Sequence, residues 1–242
     1  VGANLRPVGN APAWSKLERF PETITHEEFV RVQQNVYCTR GGCETVIRVE
    51  PESAQILTDK EKDQCFTLRF ALSEATARRA PHPWKAAKKF GHTSRFRELK
   101  GVHIALDPGH IGGKWARMEE RWFQVGDSEP VTEGDMTLRV AKILAPKLRA
   151  LGAKVSFVRD KTEPTTPQRP ADFEETARKI LAASGEAQPP LDYSGPADPE
   201  KEKSLRWHEE LLFYRNSEIR ARAELVNEKL KPDLVLCLHF NA

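Results

Sequence analysis

Hydrophobic positions in the first third of the chain fall on short, β-prone runs at residues 45–49, 55–58 and 65–71. In the last of these, Phe66, Leu68 and Phe70 alternate with Thr67 and Arg69, the two-residue period of a half-buried strand. Ahead of them, Thr25 is placed to cap a short helix over residues 26–34, with Glu28 at the capping-box position. Residues 26–72 are therefore expected to form a small β-rich accessory module. Residues 1–25, rich in Pro, Asn and Ala, read as an arm or linker. Residues 73–100, polar and basic with Pro81 and Pro83, read as a second linker.

Beyond Gly101 the period changes. Residues 102–106 form a buried-strand run that ends at Asp107-Pro108-Gly109-His110. A long loop then leads to Glu133. A helix is expected from about Asp135, with Met136, Val140, Ile143 and Leu144 as its apolar stripe, a kink at Pro146 and a stop at Gly152. Residues 153–158 form a second strand. The Pro-, Glu-, Ala- and Asp-rich stretch from residue 161 reads as a partly helical insertion reaching to about residue 216. A last helix carries Ile219, Ala223, Val226 and Leu230 and ends at Pro232, and a third strand, 234–238, delivers His239. Strand, helix, strand, helix, strand predicts an α/β fold: a mainly parallel or mixed sheet with flanking helices over residues 101–242, preceded by the β-rich module.

Composition narrows the class. The 242 residues carry 38 Lys+Arg against 35 Asp+Glu, a net charge of +3, with 39% hydrophobic positions. This excludes collagen, coiled coil and wholesale disorder. The weak charge and the lack of a basic tract argue against a nucleic-acid partner. No apolar run approaches the roughly 20 residues of a membrane span. The chain opens on Val1 without a leader pattern, as expected of a processed chain or a fragment. Of four cysteines, Cys237 lies in an apolar run and is expected as a buried, inert thiol. Cys38 and Cys43 flank a Thr-Arg-Gly-Gly turn, with Cys65 further on. A disulfide is favoured over free thiols or a zinc knuckle, for which no second ligand pair is near.

In a parallel sheet, functional residues collect beyond the carboxyl ends of the strands. His110 and His239 both follow such ends, and Glu133 precedes a helix that would pack on the same sheet. Two imidazoles and a carboxylate form a three-ligand set that leaves one position for water, and zinc suits it better than a hard cation. Singly, each histidine is more simply read as a loop or core residue; it is the pair at matching strand ends that points to a metal.

The same residues resemble the zinc-dependent N-acetylmuramoyl-L-alanine amidases that cut bacterial peptidoglycan. The resemblance covers residues 101–160 and 217–242. It rests on Asp107 to His110, Thr132-Glu133, Gly152 to Val155, Val158-Arg159-Asp160, Ile219, Arg222, Asn227 and Asp233 to Ala242. It implies His110, Glu133 and His239 as zinc ligands, hydrolysis of the bond between N-acetylmuramic acid and L-alanine, and a periplasmic or secreted setting. It also implies a catalytic glutamate on a later strand, beyond Ala242, so the chain is expected to be the N-terminal portion of a longer protein. Two features depart from the family. Ile111 separates His110 from Gly112-Gly113, and the longer loop holds Glu119, Glu120 and Glu129 as rival ligands. The segment 161–216 has no counterpart and reads either as a shield for the cleft or as a surface decoration.

Trp14, Trp84, Trp115, Trp122 and Trp207 could stack on sugars but are more simply core or interface residues. Lys85, Lys88, Lys89, Arg95 and Arg97 form a modest basic stretch, and the N-terminal module is the natural place for wall or partner contact. Two alternatives stand beside the amidase: a zinc carboxypeptidase-like hydrolase, and a non-catalytic peptidoglycan-binding protein on the same scaffold.

Overall fold

The structure, a computed structural model, describes residues 13–60, 62–79 and 97–240. They fall into two compact units divided between Pro83 and Trp84. Trp84, Lys85, Lys88, Lys89, Arg95, Asn241 and Ala242 lie outside the described residues.

In the first unit, the alternation at Phe66, Leu68 and Phe70 builds an antiparallel meander of β1 (Ile47–Val49), β2 (Ser53–Asp59) and β3 (Gln64–Arg69). Ala54 pairs with Leu68 and Ile56 with Phe66, so these side chains share one face, as the two-residue period of strands requires. Thr25 caps α1 (His26–Val32), its Oγ1 accepting from the Glu28 N–H at 3.3 Å. The Glu28 carboxylate turns to Arg31 instead of closing the capping box. Phe20 and Ile24 pack with Phe29 of α1 against Ala54, Leu68 and Phe70. The Arg78 N–H donates to the Glu22 carbonyl, so this unit draws in residues on both sides of 26–72. Cys38 and Cys43 form a disulfide across the Gly-Gly turn, and Cys65 is a free, exposed thiol.

The second unit is built on a parallel sheet in the order β7-β4-β8, where β4 is His103–Pro108, β7 Lys154–Phe157 and β8 Leu234–Leu238. A two-stranded ribbon, β5 (Trp122–Phe123) and β6 (Val131–Thr132), leads into α2 (Glu133–Ala150), which runs unbroken through Pro146. The sheet-facing side of α2 is small: Ala141 and Ala145 lie on Ile104 and Leu106, with Leu144, Leu148, Val155 and Phe157 around them.

Two expectations are corrected here. Met136, Val140 and Ile143 do not face the core but stand exposed, because close approach to the sheet selects the alanine face instead of the bulkiest one. Cys237 is exposed rather than buried; its strand, β8, is an edge of the described sheet.

The segment 161–216 is a folded part of this unit. It contains α3 (Glu174–Ala183) and α4 (Leu205–Leu211), joined by a core of Ala177, Ile180, Leu181, Leu205 and Leu212. Helical backbone continues from α4 through α5 (Glu218–Glu224) to Leu230, with two stretches of wider, π-type turns, and stops at Lys231 in the left-handed region before Pro232. The last helix therefore begins near Leu205, not after the insertion. Its buried side carries Ser217, Glu218 and Arg222, whereas Ile219 of the predicted stripe is exposed. Among the described residues, no helix is long and apolar enough to cross a membrane.

Candidate metal centre

Adjacent parallel strands β4 and β8 end side by side, Pro108 level with Leu238. The Gly109 N–H continues the ladder by donating to the Leu238 carbonyl at 2.9 Å. His110 and His239 therefore leave the sheet at one rim, their rings edge to face with centroids 5.2 Å apart. Gly109 allows this, because a β-carbon there would overlap the His239 ring.

Glu133 reaches the same rim as the first residue of α2. Thr132 caps that helix, donating to Asp135 Oδ2 at 2.6 Å while accepting from the Asp135 N–H at 3.4 Å. The Asp135 carboxylate also takes the Gly113 N–H. Gly134 lies against Gly112 so closely that an added β-carbon would sit 2.3 Å from the Gly112 nitrogen. The glycines that follow Ile111 thus serve to lay the loop after His110 onto the start of α2.

The three side chains converge. Glu133 Oε2 lies 3.4 Å from His110 Nε2, and Oε1 lies 3.2 Å from His239 Nδ1 while accepting the Phe240 N–H at 2.9 Å. One ligand atom from each residue falls within 4.8 Å of the other two, a group that could hold a metal ion. A tetrahedral ion with bonds of about 2.0–2.1 Å sets its ligand atoms roughly 3.4 Å apart. Each imidazole nitrogen stands at about that distance from one of the two Glu133 oxygens, and the donor set, two nitrogens and one carboxylate, suits a divalent cation of intermediate hardness.

Two buried arginines fix the turn that presents His110. Arg222 of α5 donates to the Pro108 and His110 carbonyls at 2.8 and 2.9 Å and pairs with Asp107 and Glu218. Arg159, after β7, spans the Pro108, Gly109, Gly134 and Lys161 carbonyls. Burial, and secondarily the nearby Arg222 charge, holds the Arg159 guanidinium down to about 10. These bonds, with Thr137 Oγ1 donating to the Gly109 carbonyl at 2.8 Å, maintain His110 at φ 57°, a left-handed conformation unusual for a residue with a β-carbon.

No family model, curated protein or solved structure matches this chain.

The rival carboxylates separate cleanly. Glu120 pairs with Lys201, and Glu129 is exposed. Glu119 is buried beside His110, where one of its oxygens takes the Ile111 N–H. Trp115 packs with Ile111, Phe213 and Met118 behind the His110 loop, a plug in which the segment 161–216 supplies Phe213. Sequence reasoning ranked Glu119 only as a rival ligand and gave Phe213 no role; neither position stands out by period or composition.

Two clefts meet at the centre, and both are lined by His110, Arg121 and His239. One, of about 720 Å³, runs between α5 and the sheet past Tyr214 and Arg215. The other, of about 680 Å³, is walled by Trp122, Phe123, Met136 and Phe240.

Proposed function

We propose that the chain carries the zinc centre of an N-acetylmuramoyl-L-alanine amidase acting on peptidoglycan in the cell envelope. The observation that carries the proposal is the convergence of His110, Glu133 and His239 within 4.8 Å at the carboxyl rim of a parallel sheet. These three residues would hold a zinc ion, which would supply Lewis acidity toward water and the scissile carbonyl. His110 is locked by the Arg222 and Arg159 clamps, and Glu133 by the Thr132 cap and the Phe240 N–H, so the ligands are preorganised. Arg121, whose Nε is 4.0 Å from Glu133 Oε2, puts a positive charge at the mouth of both clefts. Clefts on two sides of the centre suit a substrate that extends from the cut bond in both directions, a glycan on one side and a peptide on the other. The aromatic wall of Trp122 and Phe123 suits the sugar side. The Cys38–Cys43 disulfide supports an oxidising compartment. No proton-transfer residue is assigned among the described positions.

The test is digestion of purified sacculi with the zinc-loaded full-length protein, which would carry the expected later glutamate, following new L-alanine amino termini and zinc content by elemental analysis. Release of intact stems, lost together with stoichiometric zinc in His239→Ala, supports the proposal. Zinc retained in that variant removes His239 from the centre, and cleavage only within the stems replaces the amidase with a carboxypeptidase-like hydrolase.

A further inference from the structure

We infer that Glu119 is a positioning residue that fixes the tautomer and aim of the His110 ring; this rests on the reading of His110 as a cation ligand. The ring lies between two carboxylates, with Nε2 3.4 Å from Glu133 Oε2 and Nδ1 3.7 Å from Glu119 Oε1, within ion-pair range of each. Nε2 thus faces the centre and Nδ1 faces away from it. Only 4% of the Glu119 side chain is exposed, and its second oxygen accepts the Ile111 N–H at 2.9 Å, which ties the carboxylate to the residue next to His110. That tie lies at the Ile111–Trp115–Phe213 plug, in chain that departs from the amidase pattern.

An imidazole ligates a metal through an unprotonated nitrogen, so the proton must reside on the other one. A buried carboxylate 3.7 Å from Nδ1 favours the Nδ1–H form by its charge and leaves the Nε2 lone pair for the cation. Such outer partners typically change metal affinity by about 10–100-fold when removed. Glu119 lies outside the group of three that can hold the ion, so its role is exerted through His110.

The experiment compares the full chain with Glu119→Gln, which keeps side-chain size and an oxygen for the Ile111 N–H but replaces the charged acceptor facing Nδ1. Zinc affinity is measured by competition with a chromophoric chelator, and the ring protonation of His110 by long-range ¹H–¹⁵N correlation in the zinc-loaded wild type. Expected are a zinc affinity roughly 10–100-fold weaker in Glu119→Gln, an unchanged metal-free melting temperature, and an Nδ1–H, Nε2-bound His110 in the wild type. Affinity within twofold of wild type, or a wild-type His110 protonated on Nε2, overturns the inference. If Glu119→Gln does not fold, the wild-type ring spectrum decides alone. A wild type that takes up no zinc overturns both this inference and the metal centre. A zinc-binding full-length protein inactive on sacculi overturns the amidase while leaving Glu119 in place.

Discussion

A β-carbon added to Gly109 would meet Cε1 of His239 at 2.3 Å. The imidazole is the free end of a rotatable side chain, so it can swing aside without disturbing the sheet. Gly109→Ala is therefore expected to keep its melting temperature within a few degrees of wild type while weakening zinc binding by an order of magnitude or more. Chelator competition alongside calorimetric melting separates the two effects. Equal losses of both would mean that the backbone, not the ring, has moved.

Arg222 neutralises two acidic groups, of which Glu218 is nearly fully buried. Arg222→Met leaves them without their cation, and breaking a buried pair on one side typically costs about 3–5 kcal/mol. The denaturation midpoint should fall accordingly. Adding Glu218→Gln, which retains an acceptor for the Thr166 N–H, should recover part of the loss. Additive single and double losses would show that the pair is not coupled.

Phe213 has no exposed surface and lies 5.2 Å, centroid to centroid, from Trp115. Phe213→Ala opens a cavity behind the His110 loop and should cost about 3–5 kcal/mol. Urea titration gives the stability, and a parallel zinc titration should show weakened binding as the 111–115 loop loosens. A loss below about 1 kcal/mol would mean the surroundings collapse onto the gap.

Burial pushes the Glu210 carboxyl above its ordinary 4.5, although the Tyr193 hydroxyl donates to it at 2.6 Å. The folded chain therefore holds this proton more tightly than the unfolded chain. The stabilisation is fully present below the unfolded value and is lost as pH rises through the folded one. Glu210→Gln, neutral at every pH, should melt with wild type near pH 4 and above it at pH 8. A gap that does not change with pH would exclude ionisation of Glu210 as its source.

Much of the sheet architecture was legible because strands have a simple period. Phe66 and Leu68 announced the inner face of β3, with Phe70 just past its end, and the apolar runs before His110 and His239 announced parallel strands whose ends carry those side chains. The helix that Glu133 precedes brought its carboxylate within reach of the same edge, and the family resemblance set it ahead of Glu119, Glu120 and Glu129. The face of α2 was misread for a physical reason: Ala141, Ala145 and Thr137 bury well because they are small, while hydrophobicity points to Met136, Val140 and Ile143. Cys237 misled in the same way, since an apolar run does not reveal whether its strand lies at a sheet edge. Glu119 and Phe213 owe their places to a loop and a helix whose packing has no sequence period, so nothing local marked them.

The Ile111–Trp115–Phe213 contact has a consequence for how chains of this kind can diverge. A descendant that lost residues 161–216 would strip the lining from behind its own His110 loop, and would survive only by recolouring positions 111 and 115 with polar side chains or by recruiting another aromatic to cover them. Length variation in that stretch and residue choice at those two positions should therefore change together across lineages.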